Sequence, residues 1–462
     1  MYALLRAIAG VALRWYYRDI QVEGIERIPR HRPVLLAVNH PNALVDALLV
    51  GWVVPRRVRI TAKATLFQNR LADALLRWLG VLPLRRASDE ATTGRGDRSN
   101  PARNRGTFRA VHDALRRGET VLVFPEGRTH DEPTLTPLKT GAARMALHAR
   151  DAGDVHGLAI VPIGLIFERK EAPRTRVLVR VGEPVLVDEW RPPAGERAAD
   201  ALTGEIERRL RAVTLNYPSS DDATRAIRLA SLIAALFDDA PPIGVVDRGL
   251  GVEVAIARRI DLLEARVSPA DTELRSRADH LLRRLDAVQR GAAKHGILLE
   301  DVGISLRRRA AARFIVREGW LLVVGGPVAL WGRLNHWLPF AAARMIAARS
   351  VESAADPAMR TLVAGTAFVA LTYVAQTALV GVALGLIPAA VYLVSLPLAA
   401  EVNFYLSGRL GRAARRAQTF LRFRRDPELQ TRLEAELSTL RAEVLAFDRM
   451  LTGEESPDAA SA

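Results

Sequence analysis

Between Thr361 and Ala400 the chain carries no Asp, Glu, Lys or Arg, and the first charge to appear is Glu401. A run this long and apolar leaves few ways for a chain to fold, because it must be buried in protein or in lipid. A helix rises 1.5 Å per residue and needs about 20 apolar residues to cross a bilayer. The stretch 361–406 therefore holds two crossings, with "GLIP" (385–388) as the bend between them. Arg360 precedes it, and Arg409, Arg412, Arg415, Arg416, Arg422, Arg424 and Arg425 follow. Cations stay on the cytoplasmic side of a membrane, so the hairpin 361–406 is expected to have both ends in the cytoplasm. The alternative is a buried helical hairpin of a soluble domain. The stretch 320–345 is interrupted by Arg333 and His336 and carries three tryptophans; it reads as an interfacial or re-entrant element rather than a full span.

The rest of the chain reads differently. Residues 31–190 alternate short apolar runs with helical periods. The strand candidates are 33–38, 57–61, 120–125, 158–167 and 174–187. The helix candidates are "ALVDALLVGWV", "LFQNRLADALLRWLG", "GTFRAVHDALRRG" and "KTGAARMALHAR". Strands alternating with helices argue for an α/β sheet covered by helices. Residues 85–105 have almost no apolar content and read as a long, mobile surface loop: a solvated linker, or a segment that helps recruit lipid phosphate or forms a lid. Beyond residue 200 the text turns helical and charged. The resulting division is an N-terminal amphipathic helix and lead-in (1–30), a catalytic domain (31–215), a helical accessory region (216–315), a membrane-associated region (316–410) and a basic helical tail (411–462). In the tail, Leu433, Leu437, Leu440, Val444, Phe447 and Leu451 share one stripe, which suits docking better than a coiled coil of so few heptads.

The chain has 462 residues, 49% of them hydrophobic and 25% charged, so it has the makings of folded domains. Its net charge of +15 favours polyanions, and with sparse aromatics and no zinc-finger, basic-zipper or RNA-recognition pattern an anionic membrane face is preferred over nucleic acid. The absence of cysteine excludes disulfides, thiolate catalysis and cysteine-bound metal. The opening "MYALLRAIAGVALRWYYRDI" is apolar but broken by Arg6, Arg14 and Arg18. It is a poor signal peptide, and reads as an amphipathic helix lying on a membrane or packed on its own domain.

Chemistry-bearing residues cluster at strand exits. His40 follows the strand 33–38 at the turn into the next helix, where α/β sites lie. Pro41 suits a first helical position. Asp46, about one turn into that helix, can reach back to His40 Nδ1–H, fix the tautomer and stabilise an imidazolium. The alternative is a capping histidine beside a solvated aspartate. A second strand exit carries Glu126, Gly127, Arg128 and Thr129. Gly127 permits a tight turn, Arg128 offers a planar fork for phosphate, and Glu126 can hold that fork or a substrate hydroxyl; a surface turn with an ion pair is the other reading. Arg85 and Arg86 end "GVLPLRR", Lys63 ends "RITAK", and "IVPIGL" (160–165) offers only backbone and an apolar wall.

Taken together, "NHPNALVD", "GVLPLRR", "FPEGRTH" and "IVPIGL", in that order, resemble the four blocks of the glycerolipid acyltransferase family, which includes glycerol-3-phosphate and lysophosphatidate acyltransferases. The lead-in "VEGIERIPRHRPVLLAVNH" and the helix "KTGAARMAL" add to the likeness, which covers residues 20–190. The resemblance implies an α/β fold with a mixed sheet flanked by helices, followed here by the helical region and the membrane hairpin. It implies acyl transfer from acyl-CoA or acyl carrier protein to the hydroxyl of an acidic glycerolipid precursor. His40 is then the general base and Asp46 its orienting partner, with no acyl-enzyme. Glu126, Gly127, Arg128 and Thr129 would hold the acceptor, with Arg85, Arg86, Lys63 and Asn39 as further substrate contacts. No metal and no redox cofactor is implied, and the partners are membrane lipid, the thioester donor and the acidic acceptor. The expected location is the inner cell membrane with the catalytic domain on its cytoplasmic face. One feature departs from the family: five residues separate His40 from Asp46 where four are common, and a non-helical residue at Pro41 or Asn42 is expected to absorb the extra one. Competing readings are an enzyme using another lysolipid or an amine lipid as acceptor, and an inactive lipid-binding scaffold.

Overall fold

The computed structural model describes residues 2–63, 69–70, 73–74, 80–84, 105–237, 249–266, 272–348 and 356–452. Arg85, Arg86, nearly all of the loop expected over 85–105 and most of the helix expected over 66–80 lie outside these. In chain order the first part contains helix α1 (Tyr2–Tyr16), strands β1 (Asp19–Glu23) and β2 (Val34–Val38), helix α2 (Ala43–Val53), strands β3 (Val58–Lys63) and β4 (Leu82–Leu84), helix α3 (Arg105–Arg116), strand β5 (Thr120–Val123), helix α4 (Gly141–Asp151), strands β6 (Ala159–Phe167), β7 (Arg176–Val181) and β8 (Val185–Leu186), and helix α5 (Ala198–Arg211).

The strands form one mixed sheet in the order β1-β7-β6-β2-β5-β3-β4, with β8 also beside β6. All pairs are parallel except those of β6 with β7 and β8. Strand β2 is buried at all five positions, as a central strand covered on both faces must be. Its side chains alternate between two cores. Leu35 and Ala37 join Val121, Ile160 and residues of α3, α4 and α5 on one face. Val34, Leu36 and Val38 join Leu122, Val161, Ile163 and α2 residues Ala47 and Val50 on the other. The mixed sheet between helical layers is the fold class expected from the sequence.

Two details of the sheet were not legible. Strand β1 pairs in parallel with β7, Asp19 opposite Arg176, so the lead-in is an edge strand of the sheet. The run 174–187, expected as one strand, is two: pairing with β6 advances one residue between Ile163↔Val181 and Ile160↔Val185. A bulge of this kind follows from Gly182 and Pro184, the second of which has no N–H for a ladder. Helix α1 packs on its own domain. Leu13, Tyr16 and Tyr17 cluster with Val45, Leu49 and Val177. Gly10 permits the approach, since a Cβ there would sit 2.3 Å from the Trp52 ring nitrogen.

The chain divides into two units, residues 1–220 with 340–368, and residues 221–339 with 369–462. The second contains helices α6 (Ser220–Leu236), α7 (Leu250–Arg266), α8 (Thr272–Lys294) and α12 (Pro427–Thr452), and most of α9 (Arg308–Ala348), α10 (Asp356–Leu384) and α11 (Leu386–Arg425). The stripe on α12 docks: Leu433, Leu437 and Leu440 are buried with Leu236, Leu285, Val288 and Phe423. The bend expected at "GLIP" falls at Gly385, whose φ of 93° separates α10 from α11. Among the described residues three helices, α9, α10 and α11, are long and apolar enough to cross a membrane. The element expected over 320–345 is thus part of an unbroken 41-residue helix, despite Pro327 and Pro339 inside it.

Candidate active site

Strand β2 ends at Val38 and helix α2 begins at Ala43, and the four residues between carry the site. Asn39 is the anchor. Its amide donates to the Leu165 carbonyl (3.1 Å) and accepts the Leu165 N–H (2.7 Å), pinning the turn to β6. Next to it Gly164 lacks the Cβ that would strike the Val213 carbonyl, which admits the end of α5. The "IVPIGL" segment is therefore a support. Both ends of the Asn39 amide are engaged there, so Asn39 anchors the turn.

His40 Nδ1 lies 2.9 Å from Asp46 Oδ2. The aspartate side chain is 0% exposed and the histidine side chain 12%. Asp46 Oδ2 also accepts the Asn42 N–H at 2.7 Å. With Asp46 taking the Nδ1 proton, Nε2 is left as the acceptor, and it has no hydrogen-bond partner among the described residues. The His40 ring stacks on Phe124 at 3.7 Å between centroids and 15° between planes, which fixes its rotation. Burial pushes the Asp46 carboxyl up from its ordinary value, opposed by the hydrogen bonds from His40 and Asn42 and by the charge of Lys170.

The extra residue between His40 and Asp46 is absorbed where the helix starts. Asn42 has φ −139° and ψ 41°, outside the helical region, and Ala43 takes φ 48°. Left-handed backbone is uncommon for a residue with a Cβ. Asn42 is itself held: its amide donates to the Tyr17 hydroxyl and the Lys170 carbonyl, both at 3.2 Å.

The second constellation meets the first through the main chain. Glu126 Oε1 accepts the His40 N–H at 2.8 Å. Its Oε2 accepts from the Thr136 N–H (2.9 Å), the Thr136 hydroxyl (2.8 Å) and the His130 ring. Burial alone would raise this carboxyl, yet the His130 and Thr136 hydrogen bonds hold it below its ordinary value. Both Glu126 oxygens are thus engaged within the protein, and no bond to Arg128 is present among the described residues. It positions the His40 turn. Gly127 adopts φ 75°, a left-handed turn that suits glycine. Arg128 is exposed with no ion pair among the described residues, Thr129 is half-buried beside it, and Lys139 is exposed across Gly127. Lys63 is the last residue of β3. Arg85 and Arg86 lie outside the described residues.

Sequence reading missed Tyr17, Phe124, His130, Thr136 and Lys170. His130 had a local signal, four residues after Glu126. Tyr17 and Lys170 had none, since each reaches the site from a distant part of the chain.

Residues 19–166 match the family model described as Acyltransferase. The chain is 37% identical over 122 residues to glycerol-3-phosphate O-acyltransferase 2 of Saccharomyces cerevisiae, which is 26% of this chain and 16% of that protein. It is 29% identical over 192 residues to a 1-acyl-sn-glycerol-3-phosphate acyltransferase of Cocos nucifera, covering 40% of this chain and 55% of that one. A crystal structure of the 1-acyl-sn-glycerophosphate acyltransferase of Thermotoga maritima is 21% identical, with a TM-score of 0.34 over 45% of this chain and 78% of that one.

Proposed function

We propose, from the premise that this chain belongs through residues 19–166 to the glycerolipid acyltransferase family, that it moves a fatty acyl group from a thioester to the hydroxyl of glycerol-3-phosphate or lysophosphatidate. The observation that carries this reading is the buried Asp46 held 2.9 Å from His40 Nδ1, with Nε2 open. In the proposed reaction, Nε2 takes the proton of the acceptor hydroxyl as its oxygen attacks the thioester carbonyl. The C–S bond then breaks and the thiolate leaves with the proton from the imidazolium. Positioned proton transfer of this kind contributes about 10² to 10⁴ in rate. Exposed Arg128, beside Thr129 and the Gly127 turn, is the group proposed to take the acceptor's phosphate. Acyl-CoA or acyl carrier protein serves as co-substrate, and no further cofactor enters the scheme.

Acyl chains and lysolipid acceptors reside in or at a bilayer, which suits a protein with three long apolar helices. The arginines that follow residue 406 favour the cytoplasmic face of the inner cell membrane. In this reading 31–215 is the catalytic part, 216–315 the accessory helices, 316–410 the membrane-associated part and 411–462 the basic tail.

The test uses membranes holding the full chain, labelled acyl donor and a panel of acceptors. Wild type is expected to give labelled product with a phosphorylated glycerol acceptor, His40→Ala none, and Asp46→Asn a kcat lower by about 10² to 10⁴. Wild-type output from His40→Ala, or no product with any acceptor, overturns the reading. Product only with a different lysolipid or an amine lipid reassigns the acceptor.

A further inference from the structure

Lys170 sits in the turn between β6 and β7 and belongs to none of the four sequence blocks. Its ammonium donates to Asp131 Oδ1 (2.7 Å), to the His130 carbonyl (3.1 Å) and to the Pro41 carbonyl (3.2 Å). An ammonium has three protons, so all are spent. Its own carbonyl accepts the Asn42 amide. The side chain is only 17% exposed.

These bonds close a circuit. The His40 N–H reaches Glu126, Glu126 reaches the His130 ring, the His130 carbonyl meets Lys170, and Lys170 returns to Pro41, the residue after His40. Lys170 is the one member drawn from outside the two turns. A surface ion pair with half-exposed Asp131 would contribute little and needs no main-chain contacts. The two carbonyl bonds and the bond to Asn42 instead bracket the stretch that absorbs the extra residue and holds Ala43 left-handed. Backbone in such a conformation persists only where its surroundings over-determine it.

Charge acts in the same direction. Asp46 faces His40 from its own turn, Tyr17 from the end of α1 and Lys170 from the β6–β7 turn, and the Lys170 cation opposes the effect of burial on the carboxyl.

We propose that Lys170 is a positioning residue for the transfer, clamping the His40 turn to the Glu126–Asp131 turn. This rests on the acyl-transfer reading above. The experiment compares wild type, Lys170→Met, Lys170→Arg and His40→Ala as full chains in membranes, with kcat and acceptor KM followed across pH. Lys170→Met is expected to lose about tenfold to hundredfold in kcat with little change in KM. Its acidic limb is expected to move to higher pH, because without the cation the Asp46 carboxyl keeps its proton to higher pH. Lys170→Arg, which keeps the charge, is expected to return the limb to its wild-type position. A wild-type kcat and limb in Lys170→Met, with His40→Ala inactive, overturns the positioning role and leaves acyl transfer standing. If Lys170→Met does not fold, a displaced limb in Lys170→Arg overturns it instead. Activity in His40→Ala defeats the reading beneath it.

Discussion

At the scale of single residues, the site is a pair of carboxylates with different tasks. Asp46 is pushed up by burial and serves an imidazole; Glu126 is held down by hydrogen bonds and serves a main-chain N–H. The depressed carboxyl makes a pH-dependent contribution to stability. Its folded-state pKa lies below its ordinary 4.5, so the contribution is present above that value and is lost as pH falls through the folded one. Glu126→Gln is therefore expected to be less stable than wild type at neutral pH by about 1–3 kcal/mol. The gap should close on acidification, as measured by thermal unfolding across pH. Ala43 gives a second expectation. Its φ of 48° suits glycine, so Ala43→Gly should raise unfolding free energy by up to about 1 kcal/mol and Ala43→Val lower it. Denaturant titration reads both, and a destabilised glycine variant would contradict the strained turn. The His40–Asp46 pair was legible because both partners lie within one turn of chain. Glu126 was found, but its bonds to the His40 N–H and to Thr136 were not, since nothing in "FPEGRTH" tells that its carboxylate faces inward. Lys170 was invisible because its contact with Pro41 spans 129 residues.

Among the elements, those with a strong period or a strong boundary were read closely. Helix α2 occupies the expected "ALVDALLVGWV", and β2, β5 and β6 fall within their apolar runs. The β1 strand escaped notice because "DIQVE" is short and polar and gains its place only by pairing with β7. In helix α9 the opposite happened: a break was read where the helix runs on. Arg333 and His336 read as interruptions, yet His336 is buried, with one ring nitrogen 2.7 Å from the Gly332 carbonyl and the other 2.7 Å from the Tyr373 hydroxyl. Polar groups satisfied between apolar helices do not end them. Small residues set how closely these helices approach. A Cβ at Gly332 would lie 2.2 Å from the Ala399 carbonyl, whereas Gly326 has nothing within 4 Å. Gly332→Ala is accordingly expected to lower the melting temperature of the detergent-solubilised protein by several degrees, and Gly326→Ala to leave it close to wild type. Equal effects from the two would contradict the close packing of α9 on α11.

For the whole molecule, exposed apolar side chains are concentrated on α9, α10 and α11, with Val382 at 89% and Leu386 at 86%. Surfaces of that kind suit an apolar surrounding such as lipid better than water. The full chain is expected to stay with the membrane pellet after alkaline carbonate, which strips proteins held by charge alone. Release into the supernatant would mean that the arginines, not the helices, hold it. The sheet carries a different consequence, one of timing. Strand β1 is made well before its parallel partner β7, which begins at Arg176. At roughly 5–20 residues per second, a ribosome delivers that partner about 8 to 30 seconds after β1. Over that interval the emerging chain holds an unmated edge, and Tyr17, two residues before Asp19, has no Val177 to rest on. The support that Tyr17 gives to Asn42 at the start of α2 is thus completed only once β7 has emerged.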